Sequence, residues 1–137
     1  MKRFLAVLAI LASCFCFSAP CTAATRPVDI VEPAMTSLSA YGNPSAKQVG
    51  DAIIRAGTII GWQMTVEGSA DVVIGFLQTR GHTVTVEIPY SANGYAVKYR
   101  TSTNMNAGGG KIHPNYNRWV DRLFRNISAE IARPGTK

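Results

Sequence analysis

The sequence contains few of the side chains that most enzymes use for chemistry. Its 137 residues include three cysteines, all within residues 1–21, and only two histidines. A chain without later cysteines has no disulfide framework, and two histidines fall short of the three or four ligands usual in zinc sites. The Gly-x-Ser-x-Gly motif of hydrolase nucleophiles is missing as well. We therefore expect no metal centre and no cofactor, and the sequence alone reveals no activity.

Charged residues are scarce too, at 16% of the chain, whereas hydrophobic residues make up 47%. This composition excludes a disordered chain, and the length suits one domain. The formal net charge is +6, but Lys2 and Arg3 contribute to it from a segment that we expect to be removed. The basic character is therefore weak support for nucleic-acid binding, and we expect no nucleic-acid partner.

Residues 1–24 have the pattern of a secretory signal. A short basic start precedes an apolar run over residues 4–17, and small residues follow. A membrane-spanning helix fits less well, because Pro20 and the small residues interrupt the stretch of about 20 apolar residues that spanning requires. We therefore predict export to the periplasm or secretion.

Two processing routes are open. Cleavage after Ala24 or Ala23 would release a soluble protein, and this is the route that we favour. The tetrapeptide Leu-Ala-Ser-Cys that ends at Cys14 resembles a bacterial lipoprotein box, in which that cysteine would be lipidated. The alternative is thus a membrane-anchored lipoprotein, with the membrane contacted only through the lipid.

The mature chain divides into three parts. Residues 25–44 contain prolines and small polar residues and are predicted to form a connecting arm, in which residues 28–31 make a brief strand or pack on the domain. Residues 45–133 form a single α+β domain, and residues 134–137 form a tail.

Amphipathic helices are predicted at both ends of the domain. The first begins near Ser45, and its apolar residues are spaced by three and four. Gly57 weakens this helix, which ends there or continues to Ile60. The last helix opens at residues 113–115. Its apolar stripe comprises Tyr116, Trp119, Val120, Leu123, Ile127 and Ile131.

Between the helices the hydrophobic pattern changes to a period of two. Strands are predicted over 62–67, 72–79 and 83–90, with a fourth that starts at Tyr95. The pair Asn93-Gly94 favours a tight hairpin. Short turns make all four strands antiparallel neighbours.

The predicted fold is a two-layer α+β sandwich in the order α-β-β-β-β-α. Both helices cover the apolar face of a four-stranded antiparallel meander sheet. The opposite face is expected to show Thr, Gln, Glu, Lys and Arg side chains. The strand aromatics share the buried parity, whereas an RNA-binding sheet displays aromatics on its open face.

The most specific motif is Ile-His-Pro-Asn-Tyr-Asn-Arg-Trp at residues 112–119, which follows Tyr99 and the segment 102–105. It resembles small exported proteins and lipoproteins of Gram-negative bacteria, in which a tyrosine-ended strand leads to an Ile-His…Tyr-Asn…Trp helix. The resemblance covers residues 45–131. It implies an envelope location and the same fold, but no catalytic residue. The sequence departs from many of these proteins at Cys14, where their lipoprotein box is clearer.

The same motif offers a candidate site. In an enzyme, His113 would act as acid or base while Tyr116 and Asn117 orient a ligand. The interpretation that we favour is structural, with a helix start followed by Tyr116 and Trp119 as core residues on one face. His82 and His113 are 31 positions apart in the sequence, and a pair brought together by the fold with a carboxylate stays open as a metal site.

Basic residues offer the other candidate contacts. Lys98 and Arg100 are expected on the exposed sheet face, and Arg118, Arg122 and Arg125 on the outer side of the last helix. Both sets suit phosphates, lipid head groups or an acidic partner, although a solvated face is the ordinary interpretation.

Three functional hypotheses follow. The leading one is a non-enzymatic exported module that binds or supports an envelope protein. The second is a small hydrolase or ligand-processing enzyme centred on His113, Tyr116 and Asn117. The third is a binder of anionic lipid or glycan surfaces.

Overall fold

Residues 25–133 are described by a computed structural model, and the predicted leader and tail lie outside this range. The described part contains two α-helices and three antiparallel sheets, one of them four-stranded, which confirms the α+β class. In chain order the elements are β1 (Val28–Asp29), β2 (Ala34–Met35), a short 3-10 helix (Ser39–Tyr41), α1 (Ala46–Ile59), β3 (Gln63–Val66), β4 (Val72–Thr79), β5 (His82–Pro89), β6 (Tyr95–Ala96), β7 (Lys98–Thr103), β8 (Lys111–Ile112) and α2 (Asn115–Ile131).

The central sheet has the strand order β3-β4-β5-β7. Its strands are antiparallel neighbours, as the short turns predict. The fourth predicted strand is divided, because β6 pairs with β2 of the arm and only β7 pairs with β5. Thr101 lies opposite Thr85 and Tyr99 lies opposite Val86, so Arg100 forms a β-bulge in β7.

The tight hairpin lies between β4 and β5. Thr79 is paired with His82, and the two residues between them, Arg80 and Gly81, have φ angles of +47° and +79°. Two positive φ angles in a two-residue loop are typical of a type I′ turn, which matches the twist of the strands.

The prediction of a tight turn at Asn93-Gly94 is wrong. Tyr90 and Tyr95 do face each other, but they enclose a four-residue loop that is closed by the Ser91 N–H donating to the Gly94 carbonyl at 2.8 Å. Neither central residue of the predicted turn has a positive φ. A Cβ on Gly94 would instead meet the backbone of the arm at Met35 and Thr36, so the glycine allows the arm to approach.

The first helix starts with a capping box. The Gln48 N–H donates to Ser45 Oγ at 3.3 Å, and the Ser45 N–H donates to Gln48 Oε1 at 2.7 Å. Gly57 does not end the helix, which continues to Ile59. A Cβ on Gly57 would overlap the Met64 side chain, so the glycine permits close packing of α1 against β3.

The last helix buries the predicted stripe, apart from Trp119, which is half-buried. It also buries Glu130, whose side chain is only 7% exposed. Arg55 of α1 lies 3.5 Å and Arg133 lies 2.9 Å from its carboxylate oxygens. These two cations offset the cost of burying the charge.

Alternate residues of the central sheet point to opposite faces. On β4, Val73 and Gly75 are buried against the core, whereas Ile74 and Phe76 are half-buried on the other face, called the outer face below. The central part of the outer face includes Gln63, Thr65, Ile74, Phe76, Thr85, Glu87, Lys98 and Thr101. The expected Thr, Gln, Glu and Lys side chains lie on this face, but the expectation that the strand aromatics share the buried parity is wrong for Phe76. Because β4 has a neighbouring strand on each side, the two apolar side chains are partly shielded from water.

The arm packs on the domain along one edge of the sheet. Leu38 is 1% exposed and belongs to the core. The Val97 N–H donates to the Pro33 carbonyl at 2.9 Å, and the Tyr99 N–H donates to Glu32 Oε1 at 3.0 Å. The arm thus satisfies edge groups that would otherwise be open to pairing with another chain. Within residues 25–133, no helix is long and apolar enough to cross a bilayer.

Candidate functional site

His113 forms hydrogen bonds that stabilise the start of α2. Its N–H donates to the Met105 carbonyl at 2.8 Å, which joins the segment to the preceding loop. Its Nδ1 accepts from the Asn115 N–H at 3.2 Å. A backbone N–H can only donate, so Nδ1 carries no proton and the ring proton is on Nε2. The ring thus provides a hydrogen-bond acceptor for one of the backbone N–H groups that have no partner within the helix at its start.

Asn117 connects the helix to the arm. Its Oδ1 accepts from the Val31 N–H at 3.1 Å, and its Nδ2 donates to the Asp29 carbonyl at 2.8 Å. The side-chain amide thus pairs with the arm as a neighbouring strand would. Both ends of this amide are engaged, and orienting a ligand would require breaking these bonds.

Tyr116 is a core residue. Its exposure is 0%, and its ring meets the Tyr99 ring edge-on at 5.6 Å between centroids. Its hydroxyl is buried and has no hydrogen-bond partner in the described part of the chain. Burial, followed by the nearby Glu32 and Tyr99, raises the pKa of Tyr116 well above its usual value. The residue is therefore neutral at physiological pH and enclosed by the protein.

The fold brings the two histidines together. The ring centroids of His82 and His113 are 5.8 Å apart, and the Trp119 ring lies 6.5 Å from the His82 ring. The Nδ1 of His82 is 2.8 Å from the Asn104 carbonyl oxygen. That oxygen can only accept, so Nδ1 carries the proton and Nε2 keeps its lone pair.

The surroundings of this pair hold His82 in place. Asn104 has a φ of +57°, and its Nδ2 donates to the Gly81 carbonyl at 2.8 Å. The tight β4–β5 turn and the end of β7 therefore position the imidazole jointly. Within residues 25–133, no group of three or more His, Cys, Asp or Glu side chains is placed to hold a metal ion.

The basic residues fall into two separate sets. On the sheet, Lys98 lies on the outer face opposite Glu87, and Nη1 of Arg100 binds both carboxylate oxygens of Glu67 at 3.0 and 3.1 Å. On α2, Arg125 forms an ion pair with Asp121.

Arg118 and Arg122 are exposed on α2, and no ion pair to either is found within the described residues. Exposed ion pairs such as those of Arg100 and Arg125 contribute about 0–1 kcal/mol and are easily exchanged. They nevertheless reduce the positive potential that each predicted set presents.

A shallow cleft of about 240 Å³ lies elsewhere. It is lined by Met35, Thr36, Ser91, Asn93, Gly94 and Tyr95. None of the predicted site residues lines it. It is the gap between the arm and the β5–β6 loop, rather than a pocket at the histidines.

Sequence reasoning missed the partners of the predicted residues. Glu32 and Asn104 were assigned no role, although they contact Tyr99 and His82. The sequence could have indicated a turn at Asn104, because asparagine is enriched at positive φ and this residue directly follows a strand. No comparable signal marks Glu32, since its contact depends on how the arm lies along the sheet.

No protein-family model, curated protein or solved structure matches this chain.

Proposed function

We propose that the protein is an exported envelope protein that acts as a non-enzymatic binding or structural module. The observation that carries this proposal is the engagement of the motif side chains. The amide of Asn117 holds the arm, and the hydroxyl of Tyr116 is enclosed in the core. Nδ1 of His113 accepts a hydrogen bond from a backbone amide at the start of α2. These contacts give the three motif side chains structural roles in stabilising the fold.

The contact surface that we infer is the outer face of the sheet. Both helices contribute to the core on the other side, α1 contacts β3 and β4, and α1 packs against α2. We infer from these contacts a two-layer α-β-β-β-β-α sandwich, with the helices together on the inner face. In such a sandwich the outer face is left uncovered by secondary structure.

The chemistry of the outer face suits a protein partner. Ile74 and Phe76 are half-buried at its centre, and Thr and Gln side chains surround them. Glu87 lies opposite Lys98, so the charge on the face is nearly balanced. A nearly neutral face with a central aromatic residue fits a polypeptide surface better than an anionic one.

A photo-crosslinking amino acid at position 76 tests this surface in living cells. We expect crosslinks to one or a few defined envelope proteins. The matched control carries the same amino acid at Lys47, whose side chain is 83% exposed on α1, and we expect no such product from it. Equal products from both positions, or none from position 76, would refute the assignment.

The two other hypotheses have less structural support. For a hydrolase, the Tyr116 hydroxyl is enclosed in the core and both ends of the Asn117 amide are engaged with the arm, so neither side chain is free to orient a ligand beside His113. For a binder of anionic surfaces, the basic residues are split between the sheet and α2, and Arg100 and Arg125 are already paired with carboxylates.

A further inference from the structure

The two histidines form a second potential site, which goes beyond the proposed function and does not depend on it. They come from distant parts of the chain, at the start of β5 and just before α2. Both residues are half-buried. We propose that His82 and His113 together bind one divalent transition-metal ion, with Cu²⁺ as the preferred ion.

His82 is arranged as a metal ligand. Metal-binding histidines almost always donate their other ring N–H to a carbonyl or carboxylate, which fixes the tautomer and the ring orientation. Nδ1 of His82 makes this bond to the Asn104 carbonyl at 2.8 Å. The lone pair on Nε2 is therefore available, and the Asn104–Gly81 hydrogen bond at 2.8 Å stiffens the support.

The separation of the rings fits one shared ion. A metal about 2.0 Å from each ring nitrogen lies roughly 3 Å from each ring centroid, so two rings on one ion have centroids at most about 6 Å apart. The observed separation of 5.8 Å is within that span. The centroid separation therefore permits both rings to bind the same ion when their Nε2 atoms face it.

His113 must change tautomer to take part. Its Nδ1 accepts from the Asn115 N–H at 3.2 Å, so the proton is on Nε2. Binding through Nε2 moves this proton to Nδ1 and gives up the hydrogen bond to Asn115. The loss of this one hydrogen bond is small beside the metal–imidazole bond that is gained.

The ligand set favours Cu²⁺. Two imidazole nitrogens leave the remaining positions to water, since no third His, Cys, Asp or Glu joins them within residues 25–133. Open sites with nitrogen and oxygen ligands suit Cu²⁺, which stands highest in the affinity order of the divalent first-row ions. A closed structural zinc site would need three or four protein ligands.

The test is a titration of the purified envelope form with CuCl₂, after alkylation of any cysteines that processing retains. A Trp62→Phe background leaves Trp119 as the reporter, because the chain contains two tryptophans. We expect one ion per chain and quenching of Trp119 emission, since its ring lies 6.5 Å from His82. His82→Gln and His113→Gln should each weaken binding by roughly tenfold or more, since even changes to supporting residues cost 10–100-fold.

The control is Asn93→Gln, in the loop at the other end of β5, which should bind Cu²⁺ as the unsubstituted chain does. Circular dichroism shows whether each histidine variant is folded. If one is not, electron paramagnetic resonance of the unsubstituted chain decides, and nitrogen coupling from two imidazoles is expected. Oxygen-only coordination, or equal affinity in folded histidine variants, would overturn the proposal.

Discussion

Replacing Tyr116 by Phe should stabilise the protein, although this tyrosine belongs to the most specific motif of the sequence. Its hydroxyl is fully buried and has no hydrogen-bond partner within the described residues. A buried hydroxyl without a partner costs about 1–3 kcal/mol, which phenylalanine avoids while filling the same space. We expect the free energy of unfolding to rise by about 1 kcal/mol.

Tyr95 supplies a matched control. Its ring is also buried, but its hydroxyl lies 2.7 Å from Ser128 Oγ and donates to the Phe124 carbonyl at 3.1 Å. Tyr95→Phe removes these bonds, and we expect the free energy of unfolding to fall by about 1–2 kcal/mol. The same chemical change should therefore have opposite signs at the two positions.

Urea denaturation measures both variants. With a slope of roughly 1–3 kcal/mol per molar urea, a change of about 1 kcal/mol moves the midpoint by roughly 0.5 M. Equal slopes show that the change is in stability rather than in the unfolded state. A Tyr116→Phe variant that loses about 1 kcal/mol or more would refute the reasoning and show that the hydroxyl has a partner.

Three further predictions concern the packing of α1, the attachment of the arm and the ionisation of the buried tyrosines. Gly50→Ala should lower the free energy of unfolding by about 1 kcal/mol in the same assay, because the added Cβ would lie 2.8 Å from the Tyr90 ring. Overpacking of this kind costs about 1–3 kcal/mol, which outweighs the gain in helix propensity. A stabilised variant would contradict this. Asn117→Ala should destabilise by about 1–2 kcal/mol and speed hydrogen exchange at the Val31 amide, since both bonds to the arm are lost. Unchanged exchange would show that the amide does not hold the arm. Burial raises the pKa of Tyr95 to about 12, whereas an unfolded tyrosine titrates near pH 10. The folded form then retains a proton that the unfolded chain loses, so the contribution of Tyr95 to stability is complete below about pH 10 and falls by about 1.4 kcal/mol per pH unit as pH rises toward 12. Tyr116, whose pKa is also raised by burial, adds a further fall of the same sign. A flat alkaline profile would be inconsistent with this burial.

The regular elements were predictable because their signals are local. The stripe of α2 and strand β4 were predicted within a residue or two, and α1 begins at Ala46, next to the predicted start near Ser45. Gly57 was interpreted as a weakness, since propensity alone describes glycine by its entropy. Its true role depends on the Met64 side chain that fills the space.

The parts that could not be predicted depend on contacts between distant segments. Asn117 reaches Val31 across 86 positions, and no local pattern fixes that distance. The meeting of His82 and His113 depends on the I′ turn before β5 and on where the chain returns before α2. The outward position of Ile74 and Phe76 could not be predicted, because apolar residues continue on both sides of this central strand.

The most direct test of export and soluble release is the intact mass of the protein from fractionated cells of a bacterial host. We expect it in the soluble envelope fraction, with a chain that begins at Ala24 or Thr25. A chain that begins at an acylated Cys14 would replace soluble release by a membrane anchor. A cytoplasmic protein that retains residues 1–24 would contradict the account, because the outer face of its sheet would then never meet an envelope partner.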